Sequence, residues 1–153
     1  MALGTVLPFW PALLFTYLEP LALISGWNLA FFHASDFVNN QHPTVTSTIA
    51  PVGPGAEVLS LATANIYLLL GAVAVICTAV TKEARVAKAY IFAVALGDLG
   101  HIYSSYAVMG PEIFWDFNKY NDMMWGNIGF SLFLHVNRVL TLAGLFGRVG
   151  RKR

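Results

Sequence analysis

Residues 86–108 read VAKAYIFAVALGDLGHIYSSYAV. The run is apolar over a bilayer's thickness, yet an aspartate and a histidine sit in it. The hydrocarbon core of a membrane takes about 20 apolar residues of helix to cross. Asp98 is flanked by Gly97 and Gly100, and His101 follows three residues later, on the same helix face. Three more runs have spanning length: residues 8–32, 58–80 and 125–146. Helix is the expected conformation, because a backbone in lipid must satisfy its own hydrogen bonds. No series of ten-residue alternating segments, as in a membrane β-barrel, is present. The expected fold is all-α: one domain over residues 1–153, a polytopic membrane four-helix bundle.

Composition points the same way. Of 153 residues, 57% are hydrophobic and 11% charged, against about 25% charged in soluble domains. So few charges do not cover a soluble surface. The net charge of +1 gives no field that would attract nucleic acid. A single cysteine, Cys77, excludes a disulfide framework within the chain and a cysteine-rich metal site. The first run lacks a basic leader and is long for a signal peptide, so it is read as an uncleaved helix. Pro20 lies in its middle and has no N–H for the carbonyl of Thr16, which predicts a kink.

Orientation follows from the basic residues. Lys82, Arg85 and Lys88 flank the loop between runs two and three, and Arg148, Arg151, Lys152 and Arg153 end the chain. Only Lys119 lies in the opposite loops, and Arg138 lies inside run four. The positive-inside rule then places both termini in the cytosol. The segments 34–57 and 109–124 face the other side. The first is read as loop, because it is rich in Pro, Gly, Ser and Thr without helical period. The second is aromatic and acidic, as suits an interfacial cap.

Ionisable groups at a helix centre cost about 2.5–3.5 kcal/mol on insertion scales, so each asks for a reason. Glu19, Asp98 and Arg138 fall within about 6 Å of one another in depth, from the rise of 1.5 Å per residue. Asn65 and His101 lie about a turn away, and Asn127 further still. Asn127, Ser131, Leu134 and Arg138 share one helix face. The reading therefore assigns Glu19, Asp98, His101 and Arg138 as the catalytic group. Asn65, Tyr67, Tyr106 and Asn127 are assigned to substrate or water. Asn28 and Asn137 are read as helix–helix contacts, His135 as a core histidine, and His33, Asp36 and His42 as solvated residues at a span end. No metal-ligand spacing, phosphate loop or serine elbow is present, so no metal and no cofactor are expected.

Four strings carry a family resemblance: TYLEP (16–20), ANIYLLL (64–70), ALGDLGHIYS (95–104) and WGNIGF (125–130) followed by Arg138. Together they resemble a family of small fungal four-span integral membrane proteins, much of it catalogued as a domain of unknown function. The layout is similar to emopamil-binding-protein-like (EXPERA) membrane proteins and to membrane-bound epoxide hydrolases and terpene cyclases of fungal biosynthetic clusters. The family's WN–DWGN segment stands here as FNKYNDMMWGN (117–127), with Phe117 in place of the Trp and two methionines after Asp122. The resemblance implies an endoplasmic-reticulum protein of secondary metabolism. It also implies a lipophilic polyketide or terpenoid substrate, with opening of an epoxide by hydrolysis or cyclisation. A sterol or lipid isomerase, or a non-catalytic lipid-binding protein, is the alternative.

The residues suit such chemistry. Opening an epoxide needs an acid at its oxygen and a base for water or an internal hydroxyl. A carboxyl in apolar surroundings tends to keep its proton, and one beside a cation tends to lose it. Asp98 and Glu19 are expected to form this pair, with Arg138 holding the ionised member. The expected partners are a lipophilic small molecule and membrane lipids. A homo-oligomer is compatible with the sequence, which leaves the oligomeric state open.

Overall fold

The computed structural model describes residues 2–43 and 52–150, and these fold as helices without strands. Helix α1 is Phe9–Phe32, α2 is Ala34–Asn39, α3 is Pro54–Val80 and α4 is Ala84–Phe114. Helix α5 covers residues 122–142, built from Asp122–Met124, Trp125–Gly129 and Phe130–Leu142. Of these, α1 and α3 are long and apolar enough to cross a membrane. In α4 and α5 the polar residues Asp98, His101, Asn127, Asn137 and Arg138 lower the mean hydropathy. Most of the basic tail (151–153) and residues 44–51 of the first loop lie outside the described residues.

Local chemistry explains the boundaries. Gly53 is extended and Pro54 opens α3, where its missing N–H costs nothing. Helix α3 thus starts four residues before the apolar run it was read from. Asn121 Oδ1 accepts from the Met124 N–H at 2.8 Å and caps α5. At Gly110 (φ 71°, followed by Pro111) α4 breaks before a last turn. Glycine tolerates that backbone, and the next residue has no N–H to continue a helix. Part of the first loop is helical after all, as α2, although its sequence shows no period over so short a stretch.

The break expected at Pro20 takes another form. Leu13–Leu18 is a π-helical segment, and the Glu19 N–H reaches back five residues to the Leu14 carbonyl. The helix absorbs the missing donor by widening one turn. Further π segments are Ile76–Val80 and Trp125–Gly129.

The helices pair as two antiparallel hairpins. In the first, α1 lies against α3: the Ser60 hydroxyl donates to the Ala30 carbonyl at 2.8 Å, and Thr16 donates to Thr78 at 2.8 Å. Ala30 and Ala64 are fully buried between them. In the second, α4 lies against α5, where His135 Nδ1 is 2.9 Å from the Ala95 carbonyl.

One end of the bundle is packed solid by Leu7, Leu14, Phe15, Ile91, Leu134 and Val149. There the Gly150 N–H donates to the Val6 carbonyl at 2.7 Å, which ties the first and last described segments together. At the other end Asn121 Nδ2 donates to the Asn40 carbonyl at 3.0 Å and Asn127 Nδ2 to Gln41 Oε1 at 2.6 Å. The hairpins are thus joined at both ends.

The outer faces are apolar: Leu21 and Ile24 on α1, Val58 and Leu69 on α3, Phe92 and Leu96 on α4, Leu132 and Val136 on α5 are exposed. Thr16, Thr78, Glu19, Asp98, Asn137 and Arg138 are buried. Polar groups inside and apolar ones outside invert the soluble arrangement. Exposed apolar surface on this scale marks contact with lipid or protein.

The tight α1–α3 contact gives a test. Ala30→Leu forces extra carbons into a seam with no room, at a cost of about 1–3 kcal/mol. We expect a lower melting temperature in detergent, with Leu69→Ala on the outer face close to neutral.

Candidate functional site

The Arg138 side chain is wholly buried. Its Nε donates to Asp98 Oδ2 at 2.8 Å and its Nη2 to Glu19 Oε1 at 2.5 Å. Three helices, α1, α4 and α5, therefore meet at one guanidinium. The Phe15 ring lies 4.7 Å from the guanidinium carbon, a cation–π contact. Phe15 and Glu19 are four residues apart, so both reach Arg138 from one face of α1. Next to Arg138, Asn137 accepts from Trp10 Nε1 at 2.8 Å and donates to the Phe133 carbonyl at 2.8 Å. These bonds set the rotation of α5 and so the direction of the arginine.

Above this cluster a cavity of about 990 Å³ opens between the hairpins, at the top of the usual range for small-molecule sites, about 300–1,000 Å³. Glu19 and Asp98 form part of its wall, with Leu23, Ile66, Val94 and Phe130 among its apolar lining. Asp98 keeps 9% of its side-chain surface open. Its second oxygen, Oδ1, has no protein hydrogen bond among the described residues. Glu19 Oε2, Arg138 Nη1 and the Tyr90 hydroxyl are buried with no hydrogen-bond partner among the described residues. Tyr90 lies within electrostatic reach of both carboxyl groups and the arginine.

The structure brings together Glu19, Asp98 and Arg138, and places His101, Tyr67 and Asn127 on the cavity wall. The Tyr67 ring lies on α1 because Gly26 leaves room: a Cβ there would sit 3.1 Å from the ring. Its edge meets Phe37 with centroids 6.3 Å apart.

Two expected residues are elsewhere. Asn65 is exposed on α3, between Ala64 in the helix seam and Ile66 on the cavity wall, and does not line the cavity. One helical step of about 100° carries it outward. Tyr106 also lies off the cavity, its ring packed on Phe114 with centroids 5.2 Å apart. Asn127 is partly committed, since its amide donates to Gln41. Asn28 is exposed rather than packed between helices, whereas Asn137 does bridge α5 to Trp10.

Tyr90, Phe15 and Gln41 were missed by sequence reasoning. Phe15 had a signal in its spacing from Glu19, and Tyr90 in lying two turns before Asp98; Gln41, in a turn, had none. Among the described residues no group of three or more His, Cys, Asp or Glu side chains is placed to hold a metal ion.

A family model described as a domain of unknown function, DUF7704, matches residues 4–148. No curated protein and no solved structure matches the chain.

Removing one member of a buried ion cluster costs about 3–5 kcal/mol, because the partners are left uncompensated. Arg138→Leu should therefore abolish a monodisperse peak on size exclusion in detergent. Adding Glu19→Gln and Asp98→Asn to the same chain should restore it, since no unpaired charge then remains. Failure of the triple variant to recover would mean that Arg138 matters for its shape and not its charge.

Proposed function

This chain belongs to the DUF7704 family, and we propose that it is a four-span membrane enzyme that opens the epoxide of a lipophilic substrate held between its hairpins. The carrying observation is the pair of carboxyl groups on one cavity wall, sharing one guanidinium. Two acids with one base are neutral only when one acid carries a proton. A proton donor and an ionised partner are thus built into one group, as epoxide opening requires.

In the proposed step the protonated carboxyl gives its proton to the epoxide oxygen as the carbon–oxygen bond breaks. Water, or a hydroxyl of the substrate, attacks the carbon and loses its proton to the carboxylate. The donor ends ionised and the acceptor protonated, so the pair's proton count is unchanged, and a proton shift between the two resets it. With water the product gains one water; with an internal hydroxyl it is an isomer of the substrate.

Asp98 is the group that meets the substrate, because Oδ1 is its free oxygen toward the cavity. Glu19 is the deeper partner. His101 and Tyr67, also on the wall, orient the attacking hydroxyl. The membrane reading draws on the apolar outer faces of all four long helices, and the bilayer supplies the substrate. The positive-inside reading keeps both termini cytosolic, in the endoplasmic reticulum.

Microsomes containing this protein should convert a long-chain prenyl epoxide to a diol or cyclic ether, read by mass spectrometry. Asp98→Asn should lower turnover about 10²–10⁴-fold, the usual worth of a general acid or base, while the protein still elutes as a monodisperse peak, because Glu19 and Arg138 remain as a neutral pair. Saturable binding without any product would favour the lipid-binding alternative, and full activity in both Asp98→Asn and Glu19→Gln would overturn the assignment.

A further inference from the structure

The cavity lies between two ends at which the hairpins are joined, and exposed residues form part of its sides. Below it lies the packed cluster around Leu7, Phe15 and Ile91. Above it lie the hydrogen bonds from the Asn121 amide to the Asn40 carbonyl and from the Asn127 amide to Gln41. Between α3 and α4 the closure is different. Their main contact is at the final π turn of α3, Ile76–Val80, next to the loop that joins them.

Further along, the two helices face each other across the cavity wall. Helix α4 presents Ala93, Gly97 and His101, four residues apart and all exposed. Helix α3 presents Ile66, which is 59% exposed although it lines the cavity. A Cβ built on Gly97 meets no heavy atom within 4 Å.

We propose that ligands enter and leave the cavity sideways, from the hydrocarbon of the bilayer, through the slot between α3 and α4. This rests on the proposal that the cavity is a ligand site within the membrane. Gly97 lies on the edge of the slot, one residue before Asp98. The ligand class follows from the geometry: an elongated lipophile whose polar end leads past His101 to Asp98, while its apolar tail trails among the acyl chains. A compact polar molecule arriving from water would instead pass Asp122 and Gly126 at the capped end.

The test uses the whole protein in phosphatidylcholine vesicles, with a sixteen-carbon alcohol carrying a diazirine near its hydroxyl end as the probe. Photolysis inserts the carbene where the probe sits, and peptide mass spectrometry maps the adducts. We expect adducts at Glu19 and Asp98 as well as on the outer faces. Gly97→Leu should slow the inner adducts at least about tenfold, the scale of steric discrimination in an apolar pocket. Adducts at the outward-facing Leu96 and Leu99 serve as the internal standard and should not change. Ala93→Leu, on the same edge of the slot, is the second variant should the first fold poorly.

Inner adducts indifferent to both variants, or labelling confined to the outer faces, would overturn the inference. Labelling needs no turnover, so a cavity that takes up the probe yet never opens an epoxide keeps the inference and removes the enzyme reading.

Discussion

One guanidinium between two carboxyl groups governs this molecule. A buried ion is tolerated only with its partners in place. Arg138 therefore holds α1, α4 and α5 at one depth, and neighbouring bonds are arranged to aim it: Phe15 under its plane, Asn137 tied to Trp10. The rest of the bundle is arranged around that fixed point. On one side the helices close over it in a packed apolar end. On the other they are held apart by the cap near Gln41 and Asn121, which leaves the cavity between.

The depth of the charged residues could be read from the chain because helical rise is nearly constant. Counting from the ends of three separate runs put Glu19, Asp98 and Arg138 level, and their side chains do converge. Facing was harder to read. In a helix apolar on every side, no stripe marks the inner face, so Asn65 was drawn inward by its polarity alone. Its neighbours Ile66 and Tyr67 hold the wall instead. Turns have no period at all, which is why Gln41 and the short helix α2 were silent. The start of α3 at Pro54 was announced by Gly53–Pro54, but an apolar window passes over that signal.

Inside and outside have exchanged roles here. The hydroxyls of Ser60, Thr16 and Thr78 and the amide of Asn137 knit the interior, where small residues such as Ala30 and Ala64 let backbones approach. Close contacts of small residues and hydrogen bonds between helices are the means by which helices associate in lipid. The same economy leaves the cavity open, because small side chains pack one pair of helices closely and leave another apart. A Cβ on Gly97 would meet no heavy atom within 4 Å, whereas Ala30 and Ala64 pack into a buried cluster.

The widened turn at Leu13–Leu18 carries a consequence for the lineage of the chain. Trp10 and Glu19 are nine residues apart, which in a regular helix sets them on opposite sides, about 180° from each other. Here they bond adjacent residues of one helix, Asn137 and Arg138. The surplus residue of the π turn takes up about one helical step of that angle. A homologue with one residue fewer between them would reach the same phase with an unbroken spiral. Against any such homologue, the columns on the two sides of that turn would have to be registered independently.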